Sequence, residues 1–169
     1  MRLPFSDSSS VSYVPFQIVH ADVWTSPVSS FSGFKYYLVL IDDLTHYVWT
    51  FPLRNKSDVF QCLIAFHAYV HTQFQLPVIA FQTDNGKEFD NLAFRRHLEH
   101  HGATFRLSCP YTSSQNGKAE RIIRTLNDCV PSLLIHAGLP DAYWVEALST
   151  ATHLLNRRPC RASVQMTPF

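Results

Sequence analysis

Three acidic residues stand at the ends of strand-like runs or on a patterned helix, and together they constrain the fold more than any other feature. Asp22 closes the run Phe16-Gln-Ile-Val-His-Ala-Asp22, and Asp84 follows the apolar run Val78-Ile-Ala-Phe81. Glu120 lies on a segment with helical periodicity, and 35 residues separate it from Asp84. Three carboxylates at the ends of such elements are the ligands that a two-metal phosphoryl-transfer site requires.

The apolar pattern along the chain predicts the element order β-β-β-α-β-α-β-α-α, and hence a mixed sheet flanked by helices. The predicted strands are 16–24, 36–41, 47–51, a strand ending near Asp84, and 103–107. The predicted helices are 57–73 with Ser57 as N-cap, 90–101, 115–136 and 140–156. The second strand is apolar throughout, which predicts a central place in the sheet.

The acids and the short motifs around them resemble the catalytic core of retroviral-type integrases. The motifs are Ile41-Asp-Asp43, Thr83-Asp-Asn-Gly86, Pro110-Tyr-Thr112 and Gln115-Asn-Gly-Lys-Ala-Glu-Arg121. The chain is most similar to the cores of copia-type long-terminal-repeat retrotransposons, particularly those of plants. The motifs are specific as a set, whereas any one acid alone is weak evidence.

This resemblance covers roughly residues 16–169 and implies an α/β, ribonuclease-H-like fold with a five-stranded mixed sheet flanked by helices. In that fold the first and fourth strands are neighbours, so Asp22 and Asp84 are expected to meet despite 61 intervening residues. Residues 1–15 are then a linker remnant. The zinc-binding module that precedes the core in the family has no counterpart here, which suggests a fragment or decayed copy of a longer polyprotein.

The resemblance also implies 3′-end processing and strand transfer of DNA, with Asp22, Asp84 and Glu120 as catalytic metal ligands. Three clustered carboxylates repel one another, and two bound Mg²⁺ or Mn²⁺ ions would offset that repulsion. Hard oxygen ligands without nearby Cys or His favour these ions over Zn²⁺. Asp22 is expected to bridge the two ions, while Asp84 and Glu120 each complete one.

Most candidate DNA contacts lie near the predicted start of the 115–136 helix, where backbone N–H groups favour phosphate, and Lys87 is a further candidate for contacting phosphate. The candidates are Lys87, Gln115, Asn116, Lys118 and Arg121. A solvated basic face is the alternative for these side chains. The chain has a formal charge of only +1, which predicts weak DNA binding by this chain alone. Contacts to the phosphate backbone would carry little sequence specificity.

Each acid also has a purely structural interpretation. Glu120 is suited to a helix salt bridge with Arg124, Asp84 to an Asp-Asn-Gly turn, and Asp22 to a turn with Thr25. None of these explains the order and spacing of all three acids. Two further acids follow a strand, and they are assigned to a hairpin: Asp42 and Asp43.

The histidines form two groups in the sequence. His67 and His71 are four apart on the 57–73 helix, and His97, His100 and His101 cluster later. Neither group is completed by Glu or Cys, so core or surface histidines are expected and not metal ligands.

Two other functions compete with DNA integration. A ribonuclease H would require a glutamate on its first helix, and residues 57–73 contain only Asp58 as an acid. The second is a catalytically impaired or domesticated relic that binds nucleic acid. Pro131, inside the 115–136 helix, supports impairment because it should kink the helix or cost about 3 kcal/mol.

The expected setting of the protein follows from composition and from the resemblance. No apolar run approaches the ~18–20 residues of a membrane span, and the four cysteines show no disulfide or zinc spacing. An intracellular protein without a membrane partner is therefore expected. The resemblance implies element ends and target DNA as partners, a homo-oligomer, and the nucleus as the place of function.

Overall fold

The computed structural model describes residues 12–84, 86, 89, 91–107 and 117–158. Its strands are β1 (Val19–Thr25), β2 (Tyr36–Asp42), β3 (Val48–Leu53), β4 (Ala80–Thr83) and β5 (Thr104–Leu107). Its α-helices are α1 (Val59–Phe74), α2 (Leu92–His100), α3 (Gly117–Ala137) and α4 (Trp144–Arg157). Short 3-10 turns, Lys56–Asp58 and Asp141–Tyr143, precede α1 and α4. The predicted element order is confirmed.

The strands form one mixed sheet in the order β3-β2-β1-β4-β5. The pairs β1–β2 and β2–β3 are antiparallel, and the pairs β1–β4 and β4–β5 are parallel. β2 has a partner on each side, as its continuous apolarity predicts, although the middle strand is β1. The first and fourth strands are neighbours, as predicted.

The first strand begins at Val19 and not at residue 16 because the chain turns at Phe16. Phe16 has a left-handed backbone, with φ of 62°. Its N–H donates to Asp42 Oδ1 at 2.7 Å, and its carbonyl accepts from the N–H of Ile79 at 3.0 Å. These bonds hold a tight turn at Phe16, so β-pairing starts three residues later.

The expectation that Ser57 caps the first helix is wrong. Ser57 lies within the 3-10 turn Lys56–Asp58, and Asn55 is the residue before it. The Asn55 N–H donates to Asp58 Oδ2 at 3.0 Å. The chain therefore enters α1 through a turn closed by Asp58.

One side of the sheet is covered by α1 and α2, and we call it the α1/α2 face. Its buried core combines aliphatic and aromatic side chains from both layers. The principal members are Ala21, Leu38, Leu40, Phe81, Leu63, Phe66, Val70, Phe94 and Leu98.

The other side, the α3/α4 face, is covered by α3 and α4. Its buried core comprises Tyr37, Val39, Ile41, Ala119, Ile123, Leu126, Trp144, Ala147, Leu148 and Ala151. The apolar stripe of the last helix is therefore part of this core. α3 continues from Gly117 to Ala137 with Pro131 inside it. The proline does not end the helix, and its cost in stability stays a prediction.

Candidate active site at the β1/β4 edge

Pairing of the two central parallel strands brings Asp22 and Asp84 together. Ala21 of β1 lies opposite Thr83 of β4, and the two acids are the residues that follow this pair. Neighbouring strands lie about 4.7–4.9 Å apart, so this pairing brings the backbones of the two acids close together. The juxtaposition predicted from the resemblance is thus present in the fold.

Asp22 lies on the α3/α4 face because it pairs with Val39, which belongs to that core. It is half-buried, and its Oδ1 accepts from the N–H of Val23 at 2.8 Å. Burial raises the pKa of Tyr37 well above its ordinary value, and the negative charge of Asp22 raises it further. The Asp22 carboxylate therefore faces the same layer as α3.

Asp84 is exposed and begins a turn immediately after β4. Its Oδ1 accepts from the N–H of Gly86 at 3.0 Å, and its carbonyl accepts from Thr83 Oγ1 at 2.9 Å. The hydrogen bond from Gly86 agrees with the turn interpretation of Asp84. It also orients the carboxylate at the sheet edge, so the turn and a ligand role are compatible.

Two polar contacts fix α3 along β1. Lys118 Nζ donates to the Asp43 carbonyl at 3.0 Å and to Asp43 Oδ1 at 2.5 Å. Asp43 also contacts His20 Nε2 at 2.8 Å, near the start of β1. Nine residues further along α3, Asn127 Oδ1 accepts from Tyr37 Oη at 2.9 Å, and Tyr37 pairs with Trp24 near the end of β1.

These anchors set the direction of α3 relative to β1. Nine helical residues rise about 13–14 Å, and the four steps from His20 to Trp24 rise about 13 Å, so α3 runs alongside β1 in the same direction. Glu120 lies on the first turn of this helix.

Glu120 is exposed, and the alternative of a salt bridge to Arg124 is not realised. Within the ranges that the structure describes, ion pairs join Asp43 to His20 and to Lys118, and none joins Glu120 to Arg124. In the described part of α3, no cationic side chain forms an ion pair with the Glu120 carboxylate.

Asp42 and Asp43 are structural, as their assignment to the hairpin predicts. Asp42 accepts from the N–H groups of Phe16 and Thr45 and from Thr45 Oγ1 at 2.7–2.8 Å. Burial alone would raise the pKa of Asp43, but hydrogen bonds with His20 and Lys118 and the Lys118 charge hold that pKa well below its usual range. Asp43 is thus a buried anion that anchors α3.

The five predicted DNA contacts differ in what the structure shows of them. Lys118 is paired with Asp43, so it would contact phosphate only by leaving or sharing that bond. Arg121 is exposed on the first turns of α3. Lys87, Gln115 and Asn116 lie outside the described residues. The DNA contacts therefore stay predictions.

Sequence reasoning missed one cluster of side chains that could hold a metal ion. The structure brings His67 of α1 against His97 and His101, joining two groups that are separate in the sequence. The sequence gives no signal for this cluster, because it forms only when α1 packs against α2, and 29 residues separate His67 from His97.

The sequence matches the integrase core domain over residues 13–113. The chain belongs to the integrase core domain family. It is 36% identical over 168 residues to the retrovirus-related Pol polyprotein from transposon RE2 of Arabidopsis thaliana, across 99% of this chain. It is 35% identical over 159 residues to the corresponding polyprotein from transposon TNT 1-94 of Nicotiana tabacum, across 94% of this chain. The resemblance to copia-type integrase cores is thus confirmed.

This integrase core spans only 11% of the RE2 polyprotein and 12% of the TNT 1-94 polyprotein. Among solved structures it resembles a chain of the simian T-cell lymphotropic virus intasome in complex with PP2A regulatory subunit B56 gamma. There the TM-score is 0.72 at 18% identity, covering 92% of this chain and 53% of that one.

The catalytic core domain of BIV integrase is a second similar structure. Its TM-score is 0.64 at 18% identity, covering 90% of this chain and 91% of that one. These likenesses confirm the ribonuclease-H-like fold.

In the part of the chain that the structure describes, no helix has both the length and the apolarity needed to cross a bilayer.

Proposed function

We propose that this integrase core is a metal-dependent polynucleotidyl transferase, which trims the 3′ ends of an element's DNA and joins them to target DNA. The observation that carries the proposal is the position of Asp22 and Asp84 directly after Ala21–Thr83, the last pair of the parallel β1–β4 ladder. The two anchors of α3 support a role for Glu120 at the same edge. The catalytic residues proposed are these three acids.

The donor set fits two Mg²⁺ or Mn²⁺ ions. Carboxylate oxygens are hard ligands, and the nearest histidine in sequence, His20, is bonded to Asp43. Asp22 is proposed as the shared ligand, with Asp84 and Glu120 each serving one ion. Bound ions of this kind activate the attacking oxygen and stabilise the leaving oxygen in a displacement at phosphorus.

The chain's own residues position these acids and receive the DNA. The Lys118–Asp43 and Tyr37–Asn127 contacts hold α3 against β1. Arg121 follows Glu120 and is exposed, which suits a phosphate contact. An intasome chain shares the fold, which supports DNA ends and further copies of the chain as partners. Function on chromosomal DNA would place the protein in the nucleus.

A branched DNA that mimics an inserted end tests the proposal, because strand breaking and joining on it demands least of any flanking module. We expect product that depends on Mn²⁺ or Mg²⁺ in the parent chain, and background product in Asp84→Asn and Glu120→Gln. Asp128→Asn is the matched control, since Asp128 is an exposed acid two turns further along α3. Its product should equal that of the parent.

The remaining outcomes separate the proposal from its rivals. Equal product from Glu120→Gln and the parent would contradict the role of Glu120. A folded chain that binds Mn²⁺ through Asp84 without forming product would show a preserved site that needs flanking modules. A folded chain that neither binds Mn²⁺ nor forms product would favour the nucleic-acid-binding relic.

A further inference from the structure

Three histidines converge between α1 and α2, on the α1/α2 face and apart from the three acids. One ring nitrogen from each of His67, His97 and His101 lies within 4.8 Å of those of the other two. The ring centroids are 4.3–5.3 Å apart. In a tetrahedral zinc site, with Zn–N bonds of about 2.0–2.1 Å, ligating nitrogens are about 3.3 Å apart, so small side-chain rotations bring these nitrogens to that spacing.

The hydrogen bonds of the cluster leave lone pairs for a ligand. His101 Nδ1 lies 2.7 Å from the carbonyl oxygen of His97. A carbonyl only accepts, so Nδ1 carries the proton and Nε2 of His101 carries the lone pair. A ring N–H donated to a backbone carbonyl is the usual outer contact of metal-binding histidines. His97 Nε2 is buried and has no hydrogen-bond partner among the residues described.

The surroundings lower the pKa of two of the three rings, His67 and His97. Burial, and then the neighbouring imidazoles His97, His101 and His71, lower the pKa of His67 to about 4. Burial lowers the pKa of His97 as well, with smaller effects from His101 and His100. α1 contains no acid, and Glu99 of α2 is exposed. Neutral imidazole is the form that binds metal.

We propose that His67, His97 and His101 form a binding site for a borderline divalent transition-metal ion of the Zn²⁺ class, which links α1 to α2. Three imidazoles suit Zn²⁺, whereas Mg²⁺ prefers oxygen ligands. His67 is buried and His101 is exposed, so the site opens to solvent on one side and leaves a fourth position for water. The ion stabilises the helix that begins at Leu92, shortly after Asp84.

Metal titration of the untagged, chelator-stripped chain tests the proposal. Excess Mg²⁺ is kept in the buffer to occupy the carboxylates. We expect one Zn²⁺ per chain by calorimetry, a higher melting temperature with Zn²⁺, and a tetrahedral absorption spectrum with Co²⁺. The spectrum should lack a thiolate charge-transfer band, which excludes coordination by the free cysteines Cys62 and Cys129.

His101→Asn is the decisive variant because His101 is exposed, so its replacement leaves the core intact. We expect its Zn²⁺ affinity to fall at least about tenfold, and we expect added Zn²⁺ to leave its melting temperature unchanged. His100→Asn and His136→Asn alter exposed histidines, one adjacent to the cluster and one on α3, and should bind as the parent does. Parental Zn²⁺ affinity in His101→Asn, or no Zn²⁺ binding by the parent, would overturn the proposal.

Discussion

The two faces of the sheet are held to their helices in different ways. On the α1/α2 face, contacts between apolar side chains and between aromatic rings hold α1 to the sheet. Phe66 of α1 meets Trp49 and Phe81 edge-on, with centroids 5.0 and 6.4 Å apart. Such packing is strong but weakly directional, since it follows the apolar area that is buried.

On the α3/α4 face, hydrogen bonds from helix side chains to the strands supplement the apolar core. They are Tyr37–Asn127 at 2.9 Å and Thr50–Thr152 at 2.9 Å. In addition, the Val48 N–H donates to Asn156 Oδ1 and Asn156 Nδ2 donates to the Val48 carbonyl, both at 2.8 Å. Hydrogen bonds demand specific distances and angles. The helices are therefore fixed in position on the face that carries Asp22 and Glu120.

The largest effect should come from the apolar face. Phe66 is only 2% exposed, so Phe66→Ala should lower the free energy of unfolding by about 3–5 kcal/mol through lost burial and a cavity. Urea denaturation measures the loss. The control is Gln61→Ala, an exposed position on the same helix, which should change stability little. Similar losses in both variants would contradict the importance of ring packing on this face.

Asn156 tests the other face. Asn156→Ala should lower the free energy of unfolding by about 2–4 kcal/mol, because the buried backbone N–H and carbonyl of Val48, on edge strand β3, lose their hydrogen-bond partner. Hydrogen exchange of the Val48 amide should accelerate at the same time. Ser149→Ala, an exposed change on α4, is the control. An unchanged exchange rate at Val48 would show that the Asn156 bonds are dispensable.

Lys118 should have an effect that depends on pH. Lys118→Met should cost about 1–2 kcal/mol at pH 7, because Asp43 loses a charged hydrogen-bond donor. The pKa of Asp43 is lower in the folded state, so this stabilisation is present above about pH 3.9 and is lost as the pH falls further.

The difference between the melting temperatures of the parent and Lys118→Met should therefore shrink progressively as the pH falls below about 3.9. Lys35→Met is the control, since Lys35 Nζ donates to the Pro27 carbonyl and not to an acid. A gap between the parent and Lys118→Met that stays constant with pH would contradict the role of the Asp43 charge.

The smallest effect is expected at Tyr37. Tyr37→Phe removes the bond to Asn127 and should cost about 0.5–1.5 kcal/mol, measured by urea denaturation. Tyr36→Phe, one residue earlier on β2, is the matched control. If both variants lose the same stability, the hydroxyl of Tyr37 is not an anchor of α3.

The sequence alone was sufficient to predict the order of elements and the meeting of Asp22 with Asp84. The order follows from local apolar patterns, and the meeting of the two acids follows from the fold that the resemblance to integrase cores implies. It was insufficient where long-range packing decides. The Lys118–Asp43 pair joins residues 75 positions apart, and the His67 cluster depends on how α1 packs against α2. No local pattern encodes either contact.

The parallel pairing of β1 with β4 also sets when the acids meet. The antiparallel strands β1, β2 and β3 are close in sequence and form local contacts, whereas β4 reaches β1 only after α1 has crossed over. Non-local pairs close late because their loop entropy must be overcome first. A growing chain thus places Asp22 early and Asp84 late, so under the proposed function it stays inert towards DNA until its fold is complete.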